Sequence, residues 1–252
     1  FAFEAGVSPE VSIIADSDQQ IFFNQAIATV LKVDLIKEMS DLTEWLGFDS
    51  SPYSRTDWRK DLKNITDIAR ANNFGVEVLQ ESKAYSIQSF FELLPPVSDK
   101  DAAYFNHRLL ELMQVTLEQL IRNEDATKAK ETMLSKLKGF VLKVKNQGML
   151  SWRDWVSICK LKPSKKTRDD IADLVEFAQT HTRHPDFHQQ IKTYLEHIFD
   201  AAIAAINEYD QYKKSRGLID YIDMEVLILD LLENKSVLAV LKDEIDLLMV
   251  DE

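Results

Sequence analysis

A single cysteine, six glycines and six prolines are spread through 252 residues, and each scarcity closes off a class of protein. One thiol, Cys159, allows neither an internal disulfide nor a four-cysteine metal site, which fits a reducing, cytoplasmic compartment. With so few turn formers, long helices joined by short connections are expected, an all-α architecture of many helices. No apolar run reaches the roughly 18 residues that a membrane-spanning helix needs, and the N-terminus lacks the basic-then-apolar layout of a secretion signal. Nowhere does Gly-x-x-x-x-Gly-Lys-(Ser/Thr) occur, so the chain has no phosphate-cradling loop of its own. There is no repeat of fixed period and no low-complexity tract. What remains is a chain that is 45% hydrophobic, enough for one large helical domain or two small ones.

A net charge of −12 speaks against a polyanionic partner, yet the charge is unevenly spread. Between Lys128 and Arg168, twelve basic residues face only Glu131 and Asp154, so this stretch carries +10 and the rest −22. Its interior members are Lys136, Lys138, Lys143, Lys145, Arg153, Lys160, Lys162, Lys165 and Lys166, with Lys128, Lys130 and Arg168 at the ends. A ligand responds to charge within a Debye length of about 8 Å, so the local patch matters more than the total. The stretch can track a phosphate backbone, with Trp152 and Trp155 offering stacking surfaces. It can equally be a solvated helix face over two core tryptophans.

Helix follows helix along the chain. Ser17-Asp18-Gln19-Gln20 reads as a capping box opening a helix through Leu31, and Asp34 opens a second that ends near Gly47. Thr56 and Asp57 open a third, stopped at Asn72-Asn73. A long helix begins at Ser98 to Asp101, and another runs from Ala126 to Asn146. A short helix holds Trp152 and Trp155, and Thr167-Arg168-Asp169-Asp170 is a further capping box. The clearest helix spans about 187 to 213 on the stripe Ile191, Leu195, Ile198, Ala202, Ile206 and Tyr209. After Gly217, Met224, Leu227, Ile228, Leu231 and Leu232 predict a helix buried on a broad face. A short helix from Val237 to Lys242 leads to the C-terminus.

Among scattered candidates, His181, His184 and His188 have a spacing that suggests zinc. Pro185 interrupts any shared helix, however, and a loop explains them as well. Cys159 beside Lys160 and Lys162 is either an activated thiol or a buried one. Asp220 and Asp223 lie three apart at a helix start, where they can cap it and complement its dipole. The last six residues, Leu247-Leu248-Met249-Val250-Asp251-Glu252, form an apolar run ending in two acids. Such a run predicts a strand delivering two carboxylates to its edge, normally a middle element of a larger sheet. The chain, which begins with Phe1, therefore reads as a piece of a longer protein.

The stretch from Tyr209-Asp210-Gln211-Tyr212-Lys213 through Gly217-Leu218-Ile219-Asp220-Tyr221-Ile222-Asp223-Met224 resembles the UvrD/Rep and RecB/AddA group of superfamily 1 DNA helicases. That group carries a stretch ending Leu-(Ile)-Asp-Phe-x-Asp-Leu/Met, here with Tyr221 in place of Phe. Val250-Asp251-Glu252 stands where those proteins have their Walker B strand. The opening Phe1-Ala2-Phe3-Glu4-Ala5-Gly6-Val7-Ser8-Pro9-Glu10 is similar to a segment that follows the early helicase motifs. The resemblance covers residues 1–16 and 207–252. It implies that residues 1–16 leave an ATPase core, 17–216 form a helical insertion domain lying on DNA, and 217–252 return to the core.

It further implies a parent that is an ATP-dependent DNA helicase or, with exonuclease V-like activity, a helicase–nuclease subunit of recombination and repair. ATP and Mg²⁺ would be its cofactors, and DNA and a second subunit its partners. Asp251 would hold the Mg²⁺, and Glu252 would activate water. Without a phosphate loop the chain alone is expected to need no cofactor and to hydrolyse no ATP. The other reading is a stand-alone helical interaction or scaffold domain.

Overall fold

The structure, a computed structural model, describes residues 4–6, 10–48 and 57–249. It is 76% helical, and the all-α class read from the scarcity of turn formers is the class observed. The helices are α1 (Asp16–Val30), α2 (Val33–Leu46), α3 (Trp58–Ala71), α4 (Val76–Glu92), α5 (Ala102–Arg122) and α6 (Lys128–Gln147). They are followed by α7 (Trp152–Cys159), α8 (Arg168–Gln179), a 3₁₀ turn (Thr180–Arg183), α9 (Pro185–Arg216), α10 (Tyr221–Glu233) and α11 (Lys235–Glu244). Among the described residues the strands are β1 (Ser12–Ile13) and β2 (Leu218–Ile219), paired in parallel with Ser12 opposite Leu218 and Ile13 opposite Ile219. No described helix is long and apolar enough to cross a membrane.

By its contacts the chain forms two units. The first comprises 1–33, 61–81 and 199–252, and the second 34–60 and 82–198. These limits fall at other places than the segment ends at 16 and 216 expected from the resemblance.

The second unit is built on α5, whose buried stripe Phe105, Leu109, Leu112, Met113, Thr116 and Leu120 recurs at helical spacing. The side chain of Asp101 caps this helix by accepting from the Tyr104 N–H. α6 begins with Thr127 accepting from the Lys130 N–H and ends at Gly148, whose left-handed φ of 82° closes the helix. α7 is capped by Ser151, which accepts from the Asp154 N–H. α5, α6, α7 and α8 close around one apolar core that takes in Met133, Leu137, Trp155, Ile158, Ile171 and Leu174. In the first unit the apolar groups are smaller. Ala69, Leu79, Ile203 and Ile206 form one, and Phe23, Ala26 and Tyr209 form another.

Several expectations need correction. α1 starts from Ala15 with no side-chain cap, so Ser17 lies inside the helix and its capping box does not form. Thr167 caps nothing with its side chain, because its hydroxyl accepts from the Ser164 N–H at 3.0 Å instead. No helix is expected from the sequence between Asn73 and Ser98, where α4 lies with Leu79 as its one buried residue. α10 was expected to bury a broad face. It has no fully buried residue, and Ile228, Leu229 and Leu232 are 53%, 63% and 40% exposed. The expected terminal strand is not formed over Leu247 to Met249, which have no neighbouring strand to bond to and are well exposed. Val250, Asp251 and Glu252 lie outside the described residues, as does Thr56.

Candidate functional site

The block carrying the helicase resemblance folds into a compact ionic joint in the first unit. α9 ends at Arg216, Gly217 (φ 61°) turns the chain, β2 pairs with β1, and Asp220 opens α10. Asp220 accepts from the Asp223 N–H at 2.9 Å and Asp223 accepts from the Asp220 N–H at 2.9 Å, a reciprocal capping box. From the last turns of α9, Lys213 reaches both acids. Its Nζ lies 2.6 and 2.7 Å from the Asp223 oxygens, 3.2 Å from Asp220 and 3.5 Å from Asp210. Helical periodicity could not reveal this, because the contacts are made across the Gly217 reversal.

Two further groups complete the joint. The Tyr209 hydroxyl donates to Asp220 at 3.1 Å. Arg70 of α3 stands 3.7 Å from the same carboxylate, with its guanidinium over the rings of Phe23 and Tyr209 at 4.5 and 4.7 Å. Burial pushes the Asp220 carboxyl up, but the Asp223 N–H and the Lys213 ammonium outweigh it, so its pKa lies below the ordinary carboxylate value. Burial, helped by the Asp220 charge, raises the Tyr209 phenol, which stays protonated and donating. Burial also raises the carboxyl of Asp210 against the pull of Lys213.

Beside the joint opens a cleft of about 440 Å³ lined by parts of α3, α9, β2 and α10. Every acid in it faces a cation, and the phenol is committed as a donor. The arrangement fixes three helices and a strand and leaves no free base poised for proton transfer. Asp220 and Asp223 act here as caps and ion-pair partners.

The basic stretch lies in the second unit. Lys136, Lys138, Lys143 and Lys145 are exposed on α6, Arg153 is exposed on α7, and Lys160, Lys162, Lys165 and Lys166 are exposed beyond it. Lys143 is already paired, 2.9 Å from the buried Asp154. Trp152 and Trp155 are 2% and 0% exposed, so they are core side chains and not stacking surfaces. The Trp152 indole N–H donates to Gln190 at 2.7 Å.

No protein-family model matches this sequence, and no curated protein matches it.

The remaining candidates are placed by geometry alone. Among the described residues no group of three or more His, Cys, Asp or Glu is arranged to hold a metal ion. His181 turns Nδ1 to the Ala178 carbonyl at 2.9 Å and His188 turns Nε2 to the Thr182 carbonyl at 2.7 Å. His184 is 0% exposed, accepts from the Asp186 N–H through Nδ1, and packs against Phe105, Trp152 and Trp155. Burial drives its pKa down to about 4, so the ring is neutral at physiological pH. Burial also raises the half-buried Cys159 thiol, which removes it as an activated nucleophile.

Asp251 and Glu252, to which the resemblance gives Mg²⁺ binding and water activation, lie outside the described residues. Sequence reasoning missed Arg70, Tyr209 and Lys213 as partners of Asp220. Lys213 stood in the quoted motif, three residues before Arg216, but nothing marked Arg70.

Proposed function

We propose that this chain is the helical, DNA-contacting part of an ATP-dependent DNA helicase or helicase–nuclease subunit. In the parent, ATP and Mg²⁺ would drive translocation from an ATPase core and the helical part would rest on DNA. The observation that carries the reading is the parallel pairing of β1 with β2. A domain inserted into another must leave and re-enter it at neighbouring points. The two segments that resemble the flanks of such an insertion, 1–16 and 207–252, are hydrogen-bonded to each other through Ser12, Ile14, Gly217 and Ile219. The exposed lysines of the second unit support the choice of DNA as partner. They hold their charge at the surface, where counterion release from phosphates favours binding.

The test is a salt titration. Binding of a fluorescent single strand and of a duplex–tail junction should be weak, insensitive to sequence and steeply salt-dependent. Each neutralised phosphate contributes about −0.7 to −0.9 to the slope of log K against log salt. Reversing Lys138, Lys145, Lys162 and Lys165 together to glutamate should abolish binding with circular dichroism unchanged. Equal binding by the reversed protein would make these lysines an ordinary solvated face.

A second reading, a helical interaction or scaffold domain, is favoured by one observation. α10 and the residues after α11 present Leu229, Leu247 and Leu248 at 63%, 74% and 78% exposure, apolar side chains that a partner protein could cover.

A further inference from the structure

The second unit contains a cavity of about 600 Å³ that neither the ionic joint nor the exposed lysines of α6 account for. A volume of this size falls within the range that encloses a small organic molecule, about 300–1,000 Å³. Its walls are mostly apolar and aromatic. Phe48 meets Tyr194 edge-on at 5.3 Å, and Phe187 meets Trp152 edge-on at 5.1 Å. Phe90 and Ile191 add to the lining.

α7 explains how polar groups reach the same space. It buries Trp155 and Ile158 in the core, and the opposite positions 153, 156, 157 and 160 follow helical spacing along the cavity wall. Arg153 and Lys160 therefore stand at two points of one wall, seven residues apart, and both are exposed at its rim. Among the described residues the lining contains no aspartate or glutamate, so those walls leave this pair of positive charges uncompensated. His181, which also lines the cavity, adds no charge at neutral pH because burial lowers its pKa.

Directional partners are otherwise few. The Ser157 hydroxyl is spent on the Arg153 carbonyl at 2.8 Å, and His181 Nδ1 is spent on Ala178. A polar ring edge, such as that of a nucleobase, carries several donors and acceptors that would each need a partner among these few groups, which is costly in an apolar site wherever one is left unmatched. An apolar body with one acidic head meets no such penalty, because its head lies at the cationic rim and its body against the aromatic walls.

We propose that this cavity is a binding site for a small amphipathic organic anion, an apolar or aromatic body carrying one carboxylate or sulfonate held by Arg153 and Lys160. Arg153 and Lys160 also belong to the basic stretch of the DNA reading, but the proposal does not depend on that reading, and its test uses none of the four lysines reversed above.

The probe is 8-anilinonaphthalene-1-sulfonate, an aromatic body with one sulfonate, titrated into the folded protein at neutral pH. Saturable enhancement from one site is expected. Decanoate should displace it, and decanol, of equal length but uncharged, should do so about tenfold less well, since two exposed charge contacts are worth about that much. Arg153→Gln with Lys160→Gln should erase the preference for decanoate while leaving decanol displacement intact. Val156→Trp, which fills the cavity, should remove the saturable signal with circular dichroism unchanged. The double glutamine variant decides the matter alone if the tryptophan variant does not fold. Equal displacement by decanoate and decanol, or an unaltered preference in the double variant, overturns the proposal. Displacement by a short single-stranded oligonucleotide as effective as that by decanoate also overturns it and assigns the cavity to nucleic acid.

Discussion

Lys213 is 5% exposed and touches three carboxylates. Removing one partner of a buried ion pair leaves an uncompensated charge, which costs about 3–5 kcal/mol. Lys213→Met should therefore lower the urea midpoint strongly. Lys192→Met, at the surface pair with Glu196, should change stability by less than about 1 kcal/mol. Equal effects would mean that Lys213 is not the keystone of the joint. His184 behaves differently because its burial favours the neutral ring. The unfolded chain takes up a proton as pH falls through 6.5, whereas the folded chain resists until about 4. The stability it contributes is complete above pH 6.5 and is lost as pH falls from there toward 4, by up to about 3 kcal/mol. His184→Gln keeps an acceptor for the Asp186 N–H without titrating. Its melting temperature should fall less than that of the wild type between pH 7 and 5, and parallel curves would refute this. Asp220 and Asp223 could be read from sequence because a cap needs only a spacing of three. Arg70, far away in the chain, answers to no local pattern.

The start of a helix with a strong stripe, such as α5, could be read from the sequence, where Ser98 to Asp101 reads as the opening and Asp101 is the cap, because a stripe over a large core has one solution. α4 and α10 could not. α4 has a single buried residue, and the apolar pattern of α10 reads as burial on a broad face, whereas Ile228 and Leu232 are exposed and Met224, Leu227 and Leu231 are only partly buried. The same reasoning misplaced the last strand. An apolar run becomes a strand only where another strand meets it, and Leu247 to Met249 meet none. Deleting residues 246–252 should then leave the far-ultraviolet circular dichroism unchanged and raise the concentration at which the protein stays dispersed. A large loss of helicity would show that the segment supports the fold.

For the whole molecule, the scarcity of glycine and proline determined the class, whereas the division into two units depends on which buried faces meet and could not be read in advance. Under the proposed reading, activity belongs to a larger assembly. The chain lacks a Gly-x-x-x-x-Gly-Lys-(Ser/Thr) loop, so the purified chain should show no Mg²⁺-dependent ATP hydrolysis, with or without single-stranded DNA. Turnover that Glu252→Gln abolishes would contradict this and make the chain an engine in its own right. Of the nine basic positions singled out, Lys143 is tied to Asp154. Its partner lies eleven residues on and across a turn, which no count of charges could anticipate.

The short pairing of β1 with β2 also governs the order of events during folding. Bringing Ser12 to Leu218 closes a loop of about 200 residues, an entropic cost of about 5 kcal/mol if the intervening chain is flexible. The few backbone hydrogen bonds of so short a pairing, at a net value of about 1 kcal/mol each, cannot offset that cost. The two strands can therefore meet only after the helices between them have already shortened the path. This pairing is a late closure, a contact across about 200 residues in a chain whose contacts are otherwise largely local.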